Sequence, residues 1–116
     1  MTDHAVGDVV IAVVAHDPKP RPAVLVAWRG DCAVLAPLTS RRDHPTYDPT
    51  WVDCDPGCHL NPGHVWQHTM QHVPRHRIAP QRIGHARLEM ADLILDVHAH
   101  WPLTIGEVEQ FRWACE

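Results

Sequence analysis

The stretch Asp8-Val9-Val10-Ile11-Ala12-Val13-Val14-Ala15, entered from Gly7, decides how the chain is read. A β-branched run this dense loses side-chain freedom in a helix and packs well on a pleated surface, so it predicts a strand buried on both faces. Asp17-Pro18-Lys19-Pro20-Arg21-Pro22 cannot continue it. Three prolines within five residues remove backbone donors and fix φ, which leaves an extended connection that delivers Arg21 to the next strand. Ala23 to Trp28 and Cys32 to Ala36 are two further apolar runs around Arg29-Gly30-Asp31, where glycine supplies the positive φ of a tight hairpin.

Downstream the signals weaken. Pro37 to Pro62 holds five prolines and four aspartates, with Trp51-Val52 as its apolar anchor, and reads as a long loop with one short strand. His64 to Val73 alternates weakly and predicts a strand ended by Pro74, while Arg77 to Ile83 is broken by Pro80 and closes at Gly84. Leu88 to Trp101 carries an apolar stripe at helical spacing and stops at Pro102. Thr104-Ile105-Gly106-Glu107 has the form of a capping box opening a second helix, with Val108, Phe111 and Cys115 at helical spacing. Strands first and helices last define a mainly β class with C-terminal helices, an antiparallel barrel or sandwich, and exclude a doubly wound α/β fold. The 116 residues suit one domain, 1–116, and contain no internal repeat, P-loop or dinucleotide fingerprint.

Ten basic and fourteen acidic side chains give a net charge of −4, which argues against a protein that holds nucleic acid by bulk attraction. The distribution is uneven. Residues 72–88 contain Arg75, Arg77, Arg82 and Arg87 and no acid, whereas residues 89–116 carry six acids against Arg112 alone. Eleven histidines can turn the balance positive in mild acid. The longest apolar stretches are far below the roughly 20 residues that cross a bilayer, and Met1-Thr2-Asp3-His4 lacks a basic leader, so no membrane partner and a cytoplasmic location are expected. Cys32, Cys54, Cys58 and Cys115 are irregularly spaced and read as reduced thiols.

Three segments share an order: Gly7-Asp8-Val9-Val10, then Arg21-Pro22-Ala23-Val24-Leu25-Val26, then Ala36-Pro37-Leu38-Thr39-Ser40. This order resembles the MazF/PemK family of toxin endoribonucleases. More loosely, the resemblance extends to Gly57-Cys58-His59-Leu60-Asn61-Pro62-Gly63, to Val73-Pro74-Arg75-His76-Arg77-Ile78 and to Ile83-Gly84. It implies a small SH3-like barrel, usually a homodimer, that cuts single-stranded RNA without a metal cofactor and is silenced by a cognate antitoxin. The family's arginine before proline falls on Arg21 and its threonine on Thr39, with Ser40 adjacent.

Those residue types suit the chemistry. RNA supplies its own nucleophile in the 2′-OH, so cleavage needs proton transfer at that oxygen and at the leaving 5′-oxygen, with charge stabilisation at phosphorus. A guanidinium matches phosphate oxygens with forked donors, and a threonine hydroxyl fixes one of them. Arginine is a poor proton acceptor, so the base is left open; His16 and His44 are the nearest histidines along the chain. Arg75, Arg77 and Arg82 are candidates to track the RNA backbone, and Trp28, Trp51 or Trp66 to stack unpaired bases.

A different class stays open beside this one. Cys54 and Cys58 are separated by three residues, as are His72 and His76, with thirteen residues between the pairs, close to a Cys2His2 zinc spacing. His64, His68, His72 and His76 recur at an interval of four, which puts them on one face of a helix or of a strand. The alternative is therefore a non-catalytic RNA- or protein-binding barrel braced by zinc.

Overall fold

A computed structural model describes residues 3–14 and 18–116. The first three strands are β1 (Asp8–Ala12), β2 (Arg21–Arg29) and β3 (Cys32–Thr39). They form where the apolar runs predict them. β1 lies between two neighbours, so Val9 and Val10 have no exposure. Gly30, at φ 63°, turns β2 into β3, and Arg29 pairs with Cys32 across it. A side chain in this left-handed region clashes with its own backbone, and glycine avoids the cost.

The long loop contains β4 (Thr46–Tyr47), a 3-10 turn (Pro49–Trp51) and β5 (Val52–Cys54), two short strands where one is expected. The expected strand over His64–Val73 is in fact two, β6 (Gly63–Val65) and β7 (Gln71–Pro74). Both pair with the same edge of β3. Cys32–Leu35 take β7 and Leu38–Thr39 take β6, so the chain must leave the sheet between them. For the same reason the four histidines share no face: His64 lies on β6, His68 in the connection, His72 on β7 and His76 in a 3-10 turn (Arg75–Arg77).

β8 (Ile78–Ala86) runs through Pro80 unbroken. Its register with β1 shifts between Arg82, opposite Val10, and Ile78, opposite Ala12, so the residue without an N–H falls in the irregularity. The helices are α1 (Leu88–Val97), shorter than the expected Leu88–Trp101, and α2 (Ile105–Ala114). Thr104 caps α2 in a full capping box, its Oγ1 accepting from Glu107 N at 3.0 Å while Glu107 Oε1 accepts from Thr104 N at 2.9 Å.

The pairings are antiparallel, in the order β4-β6-β3-β2-β1-β8-β5, with β7 beside β3. A flat sheet this wide would be a slab, because strands repeat every ~4.8 Å. The extents are instead 33 × 32 × 30 Å, so the sheet is rolled, consistent with a barrel-like architecture. Its core includes Val9, Val24, Leu25, Val34, Leu35 and Val65. α2 packs against β2 through fully buried Phe111, and Met90 and Ile94 of α1 complete that layer. No helix among the described residues is long and apolar enough to cross a membrane.

Candidate active site

The site forms at the open end of the β2–β3 hairpin. Ala23 pairs with Pro37, and the same register carried two residues outward places Arg21 beside Thr39 on one face of the sheet. Residues eighteen apart in sequence thus become neighbours by strand register alone. Thr39 is held from its other side by β6, where it pairs with His64. That approach is close: a Cβ on Gly63 would stand 2.8 Å from Thr39 O and 3.2 Å from Tyr47 Oη, so only glycine fits without displacement. Beyond the strand, Thr39 Oγ1 accepts a hydrogen bond from Arg41 N at 3.2 Å and shapes the turn that carries Ser40 and Arg41.

Two cavities meet at this point, and Arg21, Leu38, Thr39 and Ser40 line both. The larger, about 580 Å³, is further walled by Arg41, Trp66, His68 and Gln71. The smaller, about 310 Å³, is walled by Tyr47, His59, Asn61 and Ile83. Among the described residues neither lining contains an aspartate or glutamate. In the smaller cavity Tyr47 donates its hydroxyl hydrogen to Asn61 O at 2.9 Å, and burial raises the pKa of that phenol. His59 Nε2 lies 2.9 Å from Asn61 Oδ1. In the larger, the His68 ring meets Trp66 at 5.0 Å and His44 at 5.3 Å, both edge-on.

The sequence-predicted residues fare differently. Arg21, Thr39 and Ser40 come together. His16 lies outside the described residues. His44 sits behind the wall, its side chain 1% exposed and its ring 4.9 Å from that of Trp66. Neither His44 ring nitrogen has a hydrogen-bond partner among the described residues; Nε2 lies 3.8 Å from Asp43 Oδ1, and the ring packs against Trp66 and His68.

Arg75, Arg77, Arg82 and Trp28 line neither cavity. Arg75 pairs with Asp3 and lies over the Trp28 ring at 4.8 Å, while Trp28 Nε1 donates to His4 O at 2.9 Å. Arg82 holds Asp55 through two bonds of 2.7 Å and reaches Asp8 at 3.2 Å. The Asp55 hydrogen bonds raise the arginine's pKa, and those same bonds lower that of Asp55. Arg77 is exposed in its 3-10 turn.

The zinc spacing maps onto separate places. Cys54 on β5 and His72 on β7 stand at opposite ends of the ladder β5-β8-β1-β2-β3-β7. His72 bonds Arg29 Nη1 at 3.0 Å, and Cys58 Sγ accepts from Gln81 Nε2 at 3.5 Å. Among the described residues no group of three or more His, Cys, Asp or Glu is arranged to hold a metal ion.

Sequence reasoning missed Arg41, His59, His68, Gln71 and Asn61. For all but Arg41 the signal was the Gly57-to-Gly63 stretch and the residues after it, whose meaning depends on which strand β6 joins. Set against protein-family models, curated proteins and solved structures, the chain finds no match.

Proposed function

We propose that the chain is a toxin-like endoribonuclease of the MazF/PemK kind, an SH3-like barrel that cleaves single-stranded RNA by attack of the 2′-OH, without a metal cofactor. One observation carries the reading: Arg21, Thr39 and Ser40 form the common wall of two adjoining cavities whose linings, among the described residues, hold a second arginine and no carboxylate. A phosphodiester is an anion with a substituent on each side. A cationic and hydroxylic wall between two hollows fits that shape, with the phosphate at the wall and a nucleoside in each hollow. Arg21 and Thr39 then supply donors where charge builds up at phosphorus. Trp66 offers a ring face or edge to a base in the larger hollow.

The same reading implies a cytoplasmic homodimer silenced by an antitoxin protein. A non-catalytic binding barrel would use the cleft without cutting. Incubation with mixed-sequence single-stranded RNA in EDTA separates the two. Cleavage to a 2′,3′-cyclic phosphate and a 5′-hydroxyl is expected, with Arg21→Ala and Thr39→Ala each slower by roughly 10²- to 10³-fold. No cleavage of any RNA, or equal cleavage by Arg21→Ala, overturns the proposal.

A further inference from the structure

The reaction needs a proton acceptor at the 2′-oxygen and a proton donor at the 5′-oxygen. Arg21 is poorly suited to accept, because a guanidinium stays protonated. In-line displacement puts the attacking and leaving oxygens at opposite apices of phosphorus, so acceptor and donor must stand on opposite sides of the phosphate. Among the described residues, the cavities that share the wall of Arg21, Leu38, Thr39 and Ser40 have one imidazole each: His68 in the larger and His59 in the smaller.

We infer that His68 and His59 are an acid–base pair flanking the scissile phosphate, an inference that rests on the ribonuclease reading above. One imidazole takes the 2′-OH proton as the 2′-oxygen bonds to phosphorus. The other gives a proton to the 5′-oxygen as the P–O5′ bond breaks. One proton enters the protein and one leaves, the products are the cyclic phosphate and the 5′-hydroxyl, and no other reactant is consumed.

Each ring has neighbours that orient it. His68 is set edge-on against Trp66, at 74° between planes, and against His44, at 86°. His44 is buried, its ring nitrogens make no hydrogen bond among the described residues, and its Nε2 lies 3.8 Å from Asp43 Oδ1. His59 Nε2–H donates to the Asn61 amide oxygen at 2.9 Å, which leaves Nδ1 as the exchanging nitrogen. Among the described residues, the charged and titratable groups sharing the larger cavity with His68 are Arg21 and Arg41, with His44 against its ring and Asp43 beside His44; those sharing the smaller with His59 are Arg21 and Tyr47. Both rings are solvent-exposed, so their replacement leaves the core intact.

The test uses His68→Gln and His59→Gln, with His68→Asn and His59→Asn as second variants, on RNA carrying either oxygen or sulfur at the leaving 5′ position of the linkage the wild type cuts. Sulfur departs without protonation, so it spares the acid alone. On the oxygen substrate each variant should slow by about 10²- to 10⁴-fold and lose one limb of a bell-shaped pH profile. On the sulfur substrate one variant should recover to within about tenfold of wild type and the other should not, which assigns donor and acceptor. Affinity for an uncleavable oligonucleotide with a 2′-deoxy nucleotide at the cut site should stay unchanged in all four. A histidine variant that cuts the oxygen substrate like wild type, or recovery of both or neither on sulfur, overturns the pair while leaving the ribonuclease reading intact. An inactive wild type brings down both.

Discussion

Gly63→Ala tests whether the packing of β6 sets the position of the Arg21–Thr39 wall. The added Cβ would lie 2.8 Å from Thr39 O and 3.2 Å from Tyr47 Oη. Ordinary carbon contacts begin near 3.4 Å, so Thr39 or β6 must move by about 0.6 Å. Leu38 pairs with Val65 and Thr39 with His64 at this end of β3, so the shift falls on the residue that faces the cleft. Misplacement by 1 Å costs a positioned reaction about 100-fold, so a loss of roughly 10- to 100-fold in kcat is expected. Overpacking of this size also destabilises by roughly 1–3 kcal/mol. RNA cleavage and urea denaturation measure the two effects on one preparation. Gly106→Ala is the control: its nearest neighbour is 3.9 Å away, it lies in α2, and it should cleave normally while gaining up to ~1 kcal/mol. A Gly63→Ala protein that keeps the wild-type rate, whether or not it loses stability, refutes the link between this contact and the site.

Two further outcomes concern the frame that holds the site. Arg29 grips Glu107 through two bonds of 2.9 Å, and together with the cap at Thr104 this lowers the glutamate's pKa from its ordinary value to about 2. A depressed carboxylate contributes stability above its unfolded pKa and loses it as pH falls through the folded value. Glu107→Gln should therefore cost about 1–2 kcal/mol at pH 7, discounted for the 32% exposure of Arg29, and the gap to wild type should close between about pH 4.5 and pH 2 in thermal melts. A gap that stays constant with pH contradicts this. Phe111, fully buried between α2 and the sheet, should cost roughly 3–5 kcal/mol as Phe111→Ala in denaturant titrations.

How legible the molecule was depends on the range of each interaction. β1, the Gly30 hairpin and the Thr104 capping box rest on residues within a few positions of one another, and each stands where the pattern puts it. Arg21 and Thr39 were named through the family resemblance, not through the hairpin: the turn register alone sets Arg21 opposite Ser40, and the shift between Leu25 and Ala27 brings it opposite Thr39. The break between β6 and β7 was not legible, since it arises from β3 offering one edge to two strands, a fact no local window contains. His59 and His68 were missed for that reason: their place beside Thr39 depends on the β3–β6 pairing. The fourfold histidine interval misled because a period carries meaning only within an unbroken element.

A net charge of −4 and the polyanionic substrate proposed above are reconciled by where the acids are. Asp8 and Asp55 are engaged by Arg82, Asp92 by Arg112, Glu107 by Arg29, Asp53 by Arg87 and Asp3 by Arg75. Arg21 and Arg41 line the cleft, and the described residues of its lining include no aspartate or glutamate, which says nothing of Arg21's partners elsewhere. Attraction is then local, and few phosphates are neutralised. For a single strand the slope of log K against log salt is ~0.7 per phosphate, so two contacts predict a slope near −1.4 for an uncleavable oligonucleotide. Arg41→Ala should flatten it by about 0.7, whereas Arg77→Ala, altering an arginine outside both linings, should leave it unchanged. A wild-type slope steeper than about −3, or one sensitive to Arg77, would mean that RNA is followed along the 3-10 turn and that the cleft alone does not account for binding.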